Sequence, residues 1–236
     1  QPVGLMFDIS PAEWTAILLS LRVAVSATLV ATPFGIALAW LLARHDFWGK
    51  SVLDALVHLP LVLPPVVTGY LLLLTFGRRG MVGAWLADNF GIVFAFRWTG
   101  AALACGVMSF PLLVRPIRLS IEAIDRRLEQ AASTLGAAPW RVFATVTLPL
   151  ALPGILAGMV LGFAKAIGEF GATITFVSNI PGETQTISSA IYSLIQTPDG
   201  DRAAAQLVLI SIVIAMGALI ASEWFARRAT RRLHGN

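Results

Sequence analysis

Charged residues are scarce in this chain of 236 residues. They make up 13% of the sequence, roughly half the share usual for a soluble domain, whereas hydrophobic residues make up 57%. A soluble core of this length has no need of such a composition. The sequence therefore predicts a membrane protein, whose first partner is the lipid bilayer.

Cysteine and histidine are nearly absent as well. Cys105 is the single cysteine, so it has no partner for an intrachain disulfide, and its apolar surroundings predict a packing role. The histidines, His45, His58 and His234, are scattered along the chain. Because there is neither metal-ligand spacing nor a nucleophile–base set, we predict no metal site, no resident cofactor and no covalent chemistry in this chain.

Nucleotide binding and nucleic-acid binding are both excluded by the placement of a few residues. Gly49, Lys50 and Ser51 resemble the end of a phosphate-binding loop, but Arg44 stands where the first glycine of that loop is required. Any energy from ATP must therefore come from another subunit. The net charge of +4 does not indicate nucleic acid, because the arginines cluster at the ends of apolar runs.

Apolar runs are what the chain has in abundance. A helix needs roughly 20 apolar residues to cross a bilayer, and several runs reach that length. We predict an all-α polytopic membrane domain over 1–236 with five spans, at about 13–43, 52–76, 98–119, 142–167 and 203–225. Pro11 is well placed to begin the first helix.

Prolines interrupt the second span. Pro60, Pro64 and Pro65 must kink or break its helix, which frees backbone carbonyls at membrane depth. Irregular backbone there is tolerated where it is buried in protein or lines a water-filled cavity. The segment, which includes Thr68, is therefore either a gate that lines a pore or a kink needed for packing.

The fourth span carries a row of small residues. Gly154, Gly158 and Gly162 recur every fourth position, a spacing that lets another helix approach closely. That second helix belongs either to the partner in a homodimer or to the same chain.

Two charges follow this row, four residues apart. A lone charge at mid-membrane costs roughly 2.5–3.5 kcal/mol on insertion scales, so we expect Lys165 to be paired or hydrated. Glu169 is at the spacing of a helical partner. Either the pair is structural, or Lys165 helps to draw an anion along a wet pathway.

One polar stretch, 126–141, separates the third and fourth spans. Its apolar residues recur at the spacing of one helix face: Leu128, Ala131, Ala132 and Leu135. Polar residues take the other face: Glu129, Gln130, Ser133 and Thr134. Gly136 and Pro139 predict where the helix ends. We predict an amphipathic helix whose apolar face is buried either in the headgroup region or in a groove of a soluble partner.

Residue identities favour the soluble partner. Gln130, Ala131, Ala132, Gly136, Val146, Leu148 and Pro149 resemble the coupling-loop signature of ABC-importer permeases. That signature is Glu-Ala-Ala, three residues, Gly, nine residues, Ile, one residue, Leu-Pro. Gln130 stands where the family usually has Glu, Val146 stands where it usually has Ile, and Glu129 is one position early.

Longer runs narrow the resemblance. LPLVLPPVVTGYLLL, GRRG and GEFGATITFVSNIPGETQTI (168–187) look like the molybdate permease subunits of bacterial ABC importers, a group related to the sulfate permeases. The resemblance implies a homodimer in the inner membrane, two cytoplasmic ATPase subunits that bind ATP and magnesium, and a periplasmic oxyanion-binding receptor. It also implies that the second and fourth spans flank a pathway for molybdate and tungstate.

Two sets of residues are candidates for functional roles. The set that couples to the ATPase is Leu128, Glu129, Gln130, Ala131, Ala132, Leu135 and Gly136. Candidates for the pathway or its gate are Pro64, Pro65, Thr68, Lys165 and Glu169. Two alternatives stay open: a permease for sulfate or another oxyanion, and a passive anion channel that uses Lys165 and the proline-kinked helix as its filter.

Positive charge near the span ends predicts the orientation. If the stretch 126–141 is cytoplasmic, the amino end is outside and the carboxyl end is inside. The inner side then has 11 of the 17 basic residues: Arg44, Lys50, Arg115, Arg118, Arg126, Arg127, Arg141, Arg227, Arg228, Arg231 and Arg232. The outer side has 4: Arg78, Arg79, Arg97 and Arg202. This excess on the inner side supports the orientation.

Overall fold

Helices are the only regular secondary structure in the described part of the chain. The structure is a computed structural model that describes residues 9–233, with the side chains of 222, 223 and 225–233 outside that description. The predicted all-helical fold is confirmed. The helices of the first half are α1 (Pro11–Arg44), α2 (Lys50–Val62), α3 (Pro65–Phe76), α4 (Met81–Phe90) and α5 (Trp98–Glu122).

The second half begins with the short α6 (Arg126–Thr134). It continues through α7 (Pro139–Val142), a π-helix (Phe143–Thr147), α8 (Leu148–Leu150), α9 (Leu152–Ile167), α10 (Gly171–Val177), α11 (Ile187–Leu194) and α12 (Asp201–Leu233). The glycine-rich segment Gly77–Arg97 contains α4, and the β-branched run Thr173–Val177 lies in α10. His234 and the side chains of the last four arginines lie outside the described residues.

Helix α1 begins where Pro11 predicts. Ser10 caps it: its hydroxyl accepts a hydrogen bond from the Glu13 amide at 3.3 Å, and the Glu13 carboxylate accepts one from the Ser10 amide at 2.6 Å. This reciprocal arrangement satisfies two amides that a helix start would otherwise leave unpaired. At 34 residues, α1 exceeds what a perpendicular crossing needs.

Three helices are long and apolar enough to cross a membrane unaided: α1, α5 and α12 over 201–221. Two bent pairs, α2 with α3 and α7–α8 with α9, pass the same test if each pair counts as one span. The described residues thus provide three to five spans, a range that includes the five predicted.

The break between α2 and α3 turns the chain by 114°. Helix α2 ends at Val62, Pro64 precedes α3 and Pro65 is its first residue. Proline has no amide hydrogen to donate and its ring collides with the preceding turn, so two in succession stop a helix. Proline at the first helical position is then favourable for the next helix.

The fourth span is not the straight helix that 142–167 suggested. It bends by 68° at Ala151, and the segment before the bend contains the π-helix. Pro149 cannot donate to the carbonyl four residues earlier, and Pro153 repeats the defect just beyond the bend. The wider π turn and the bend accommodate these missing hydrogen bonds.

Helix α5 lies at the centre of the fold, between α1 and α9. Its buried side chains include Ala101, Leu113 and Ile117, each 0% exposed. Small residues on the facing side of α1, such as Ala24 and Ala39, let the two helices approach closely. This central packing fixes the end of α5, which α6 follows in the chain, and the end of α1, which α6 contacts.

Candidate coupling site and transport pathway

The amphipathic helix predicted between the third and fourth spans is present as α6. Its first turn is capped by Asp125, whose carboxylate accepts a hydrogen bond from the Arg127 amide at 2.9 Å. Gly136 has a φ of 86°, and the amides of Gly136 and Ala137 bond back to the carbonyls of Ser133 and Ala132. This is the left-handed termination that glycine allows, so α6 ends where Gly136 predicts.

The apolar face of α6 is uncovered. Leu128 is 51% exposed and Leu135 is 89% exposed, and Ala131 is exposed beside them. Of the other predicted members of the coupling set, Gln130 and Gly136 are exposed and Ala132 is half-buried. Within the described residues, the two leucines thus leave an apolar surface open to a second molecule.

Glu129 lies on the opposite face and points into the protein. Its carboxylate forms an ion pair with Arg44, with 3.0 Å between Arg44 Nε and Glu129 Oε2. Thr147 Oγ1 donates to Glu129 Oε1 at 2.6 Å. Arg44 Nη2 donates to the same Oε1 at 3.2 Å and to the Ile124 carbonyl at 3.3 Å.

Sequence reasoning grouped Glu129 with the coupling residues and assigned no role to its partners. The structure turns this carboxylate inward, so it joins α6 to the rest of the chain instead of facing outward. Arg44 and Thr147 were missed because they lie 85 and 18 residues away, and no spacing rule connects them. The one available signal was a charged residue, Arg44, at the very end of a long apolar run.

The pathway candidates of α3 lie against α10. An added Cβ on Gly171 would lie 2.7 Å from Pro65 Cβ, and one on Gly69 would lie 2.5 Å from the Ala172 carbonyl oxygen. Contacts this close leave no room for a side chain. The break at Pro64 and Pro65 therefore positions α3 directly on the helix that follows the Gly-Glu-Phe-Gly run, and the glycines needed for this approach were missed from sequence.

Thr68 has a buried hydroxyl without a partner. The residue is 5% exposed, and no hydrogen bond to Thr68 Oγ1 is present among the described residues. A buried polar group normally finds a partner, so an exception calls for an explanation. The hydroxyl sits one residue before Gly69, at the contact between α3 and α10.

Lys165 and Glu169 form the pair that their spacing predicted. Lys165 Nζ lies 2.8 Å from Glu169 Oε2, and the Ala172 amide donates to Glu169 Oε1 at 3.0 Å. The Glu169 side chain is 1% exposed and that of Lys165 is 30% exposed. The Lys165 cation thus balances the buried Glu169 carboxylate beside the start of α10, as a structural pair would. Because Lys165 is partly exposed, a role in drawing an anion along a wet pathway stays open.

The glycine row of α9 faces α5 of the same chain. An added Cβ on Gly154 would lie 2.6 Å from the Pro116 carbonyl oxygen, and one on Gly158 would lie 2.5 Å from that of Leu113. Gly162 is less crowded, with Leu113 Cδ1 at 3.5 Å. The row therefore serves helix packing within the chain, which is one of the two alternatives that its spacing left open.

No group of three or more His, Cys, Asp or Glu side chains within the described residues could hold a metal ion. The features that stand out are an exposed amphipathic helix, two bent spans, and the Glu129 carboxylate that joins this helix to α1 and to the π-helix of the fourth span. Such an arrangement can transmit movement between a partner and the spans.

Comparison with known proteins identifies the family. Residues 31–231 match the family of binding-protein-dependent transport system inner membrane components. The molybdenum transport system permease protein ModB of Escherichia coli K12 is 64% identical over 93% of this chain and 96% of its own length. The Haemophilus influenzae protein of the same name is 58% identical over 94% of this chain and 96% of its own length.

More distant proteins share the fold. The sulfate transport system permease protein CysT of Escherichia coli is 38% identical over 79% of this chain and 66% of its own length. A bacterial alginate ABC transporter, solved in complex with an alginate pentasaccharide-bound periplasmic protein, superimposes with a TM-score of 0.73 at 21% identity, covering 94% of this chain and 81% of that one. The matched range includes α6 and both bent spans, and the chain belongs to the family of binding-protein-dependent transport system inner membrane components.

Proposed function

We propose that this chain is the membrane-spanning permease subunit of an ATP-driven importer for molybdate, and that tungstate uses the same route. The assignment of molybdate as the substrate rests on one observation. This chain is 64% identical, over almost the whole length of both chains, to a permease named for molybdenum transport. The sulfate permease named above is more distant. Sulfate is therefore the second candidate for the cargo.

The energy for transport comes from partner subunits. This chain has Arg44 where a phosphate-binding loop needs glycine. Two cytoplasmic ATPases, which bind ATP and magnesium, dock on the exposed apolar face formed by Leu128, Ala131 and Leu135. Helix-in-groove docking uses apolar anchors at this spacing. ATP binding draws the two ATPases together, and α6 passes the movement to the spans.

The permease works as a homodimer with its amino end outside and its carboxyl end inside. The excess of basic residues on the α6 side supports that orientation. The outer side then holds the interval between α10 and α12. There a periplasmic receptor delivers the oxyanion, in the way that the alginate transporter named above is found with a periplasmic protein.

The two bent spans flank the pathway. Where helices are interrupted at membrane depth, their free backbone groups must be buried or face a water-filled cavity. The breaks at Pro64–Pro65 and at Ala151 supply such points, and Thr68, Lys165 and Glu169 lie beside the contact of α3 with α10. Rearrangement of this contact opens the dimer alternately to each side.

Competition for uptake tests the cargo. Vesicles containing this chain with its ATPase, receptor outside and ATP inside, are given labelled molybdate with an excess of tungstate or sulfate. We expect tungstate to block uptake and sulfate to leave it unchanged. Equal inhibition by sulfate would show a general oxyanion permease, and uptake that ignores both ATP and receptor would show a passive channel.

A further inference from the structure

The carboxylate of Glu129 connects three segments of the chain. Glu129 of α6 accepts hydrogen bonds from Arg44, the last residue of α1, and from Thr147, the last residue of the π-helix. Arg44 also donates to the Ile124 carbonyl, in the short link between α5 and α6. The end of the first span and the bent part of the fourth span therefore meet at a single side chain of α6, and Arg44 connects the end of the third span to the same cluster.

Burial distinguishes this ion pair from the others on the same side of the molecule. The Arg44 side chain is 8% exposed and that of Glu129 is 17% exposed. Lys50–Asp46 has a carboxylate that is 91% exposed, and Arg118–Asp54 has side chains 26% and 37% exposed. Exposed pairs are loose and contribute little, whereas breaking a buried pair leaves an uncompensated charge. The Arg44–Glu129 pair is thus more buried than these two pairs, and its loss would leave a charge withdrawn from solvent without a partner.

The position of Thr147 connects this pair to a bend. Thr147 is 1% exposed and lies four residues before Ala151, where the fourth span changes direction by 68°. A single-turn π-helix is rare and frequently marks a functional point in a longer helix. A force applied at Thr147 therefore acts on the span just before its bend.

No residue of α6 is fully buried, and its two leucines are exposed. A cleft of about 500 Å³ lies between α6, the end of α1 and the π-helix. Gln130 and Ser133 line this cleft and leave it unfilled. Glu129 lines the same cleft, and its carboxylate contacts both Arg44 and Thr147. A longer contact to α1 runs from Arg126 Nη2 to the Ala43 carbonyl, at 3.5 Å.

We propose that Glu129 is a positioning residue. Through its contacts with Arg44 and Thr147, it transmits displacement of α6 to the first and fourth spans. This inference rests on the proposed function, because it requires an ATPase that moves α6. When α6 moves, the buried pair keeps the ends of α1 and of the π-helix moving with it. Without the pair, the contact left between α6 and α1 is the 3.5 Å hydrogen bond from Arg126 to the Ala43 carbonyl. The movement of α6 is then passed on less completely, and ATP hydrolysis separates from transport.

The test is the number of molybdate ions imported per ATP hydrolysed by the reconstituted complex of this chain, its ATPase and its receptor. For Glu129→Ala we expect assembly and ATP hydrolysis to persist while this ratio falls at least about fivefold, the lower end of common coupling free energies. Thr147→Val should lower the ratio less, because the ion pair remains. Arg44→Lys, which keeps a cation beside Glu129, should retain most of it.

The matched control is Asp54→Ala, which breaks the partly exposed pair with Arg118 and does not touch α6. Its ratio should equal that of the wild type. An unchanged ratio in Glu129→Ala, or an assembled Arg44→Lys variant that loses as much coupling as Glu129→Ala, would overturn the proposal. Failure of the wild-type complex to import molybdate would instead contradict the proposed function, so the two failures are distinguishable.

Discussion

Two carboxylates, those of Glu169 and Glu129, differ in whether their ion-pair partners can be predicted from sequence. Glu169 pairs with Lys165 one helical turn away, so the i, i+4 spacing alone predicts the contact. Glu129 pairs with Arg44, 85 residues away, and only the packing of α1 against α5 brings them together. Both carboxylates are satisfied, as burial of charge requires. Local partners follow from the sequence, and distant ones do not.

Thr68 allows the two interpretations of the proline break to be separated. Replacing a buried, unpartnered hydroxyl by a methyl group of similar shape is nearly neutral or stabilising if the residue only packs. If the hydroxyl serves the pathway, as we propose, Thr68→Val should lower molybdate uptake severalfold without loss of stability. Uptake by reconstituted vesicles and thermal unfolding of the purified chain measure the two quantities.

Thr75→Val is the matched control on the same helix, because the hydroxyl of Thr75 already donates to the Leu71 carbonyl at 2.8 Å and is exposed. It should transport as the wild type does. Full uptake by Thr68→Val would assign the segment to packing alone.

The glycine row predicts a second residue-scale effect. Gly158→Ala would place a Cβ 2.5 Å from the Leu113 carbonyl oxygen, a backbone atom of α5 that cannot turn aside. We expect the free energy of unfolding to fall by roughly 1–3 kcal/mol, as for other overpacked sites. Gly162→Ala should be neutral or slightly stabilising, because its nearest neighbour is at 3.5 Å. Unfolding of both variants in detergent measures the two free energies. Equal stability of Gly158→Ala and Gly162→Ala would contradict the packing of α9 on α5.

At the scale of elements, the sequence predicts where helices begin and end, because a few neighbouring residues control these points. Pro11 begins α1, Gly136 ends α6 and Pro64 stops α2, each for reasons contained in a few neighbouring residues. The 68° bend at Ala151 was not predicted, although Pro149 and Pro153 lie on either side of it. Prolines are frequent in membrane helices, and whether one kinks a span depends on neighbouring helices that can satisfy the freed carbonyls.

The exposed face of α6 predicts how the ATPase is held. Replacing Leu128 and Leu135 together by Asp places charge on the exposed docking face. We expect the ATPase to be lost on co-purification while the permease keeps its thermal stability. Trp48→Asp, at a residue that is 100% exposed in the loop after α1, should retain the ATPase. Retention by the double variant would place the docking surface elsewhere.

The whole molecule has the outward apolar surface that a bilayer requires. Phe34, Val213 and Ile220 are each more than 60% exposed and lie on the long helices α1 and α12. Soluble monomers rarely leave such contiguous apolar surface uncovered, whereas lipid tails solvate it well. The polar clusters of the described chain lie at the helix ends and at the breaks, where water or a partner reaches them.

Orientation is the whole-molecule property that cysteine labelling tests. Cys105 is buried, 1% exposed, so the wild-type chain should not react with a membrane-impermeant thiol reagent. Gln196→Cys, in the exposed interval before α12, should react in intact cells with a permeabilised outer membrane. Trp48→Cys should react only after the inner membrane is opened. The reverse pattern would invert the orientation and place α6 outside.

The most direct test of the account is accumulation of labelled molybdate against its gradient. Vesicles with this chain, its ATPase and the receptor outside are compared with ATP inside, with a non-hydrolysable analogue inside, and with no nucleotide. The account predicts that the internal concentration exceeds the external one only with ATP, and that the Leu128 and Leu135 double variant abolishes this accumulation. Equilibration to equal concentrations under all three conditions would contradict it, because a passive channel needs neither α6 nor its ion pair.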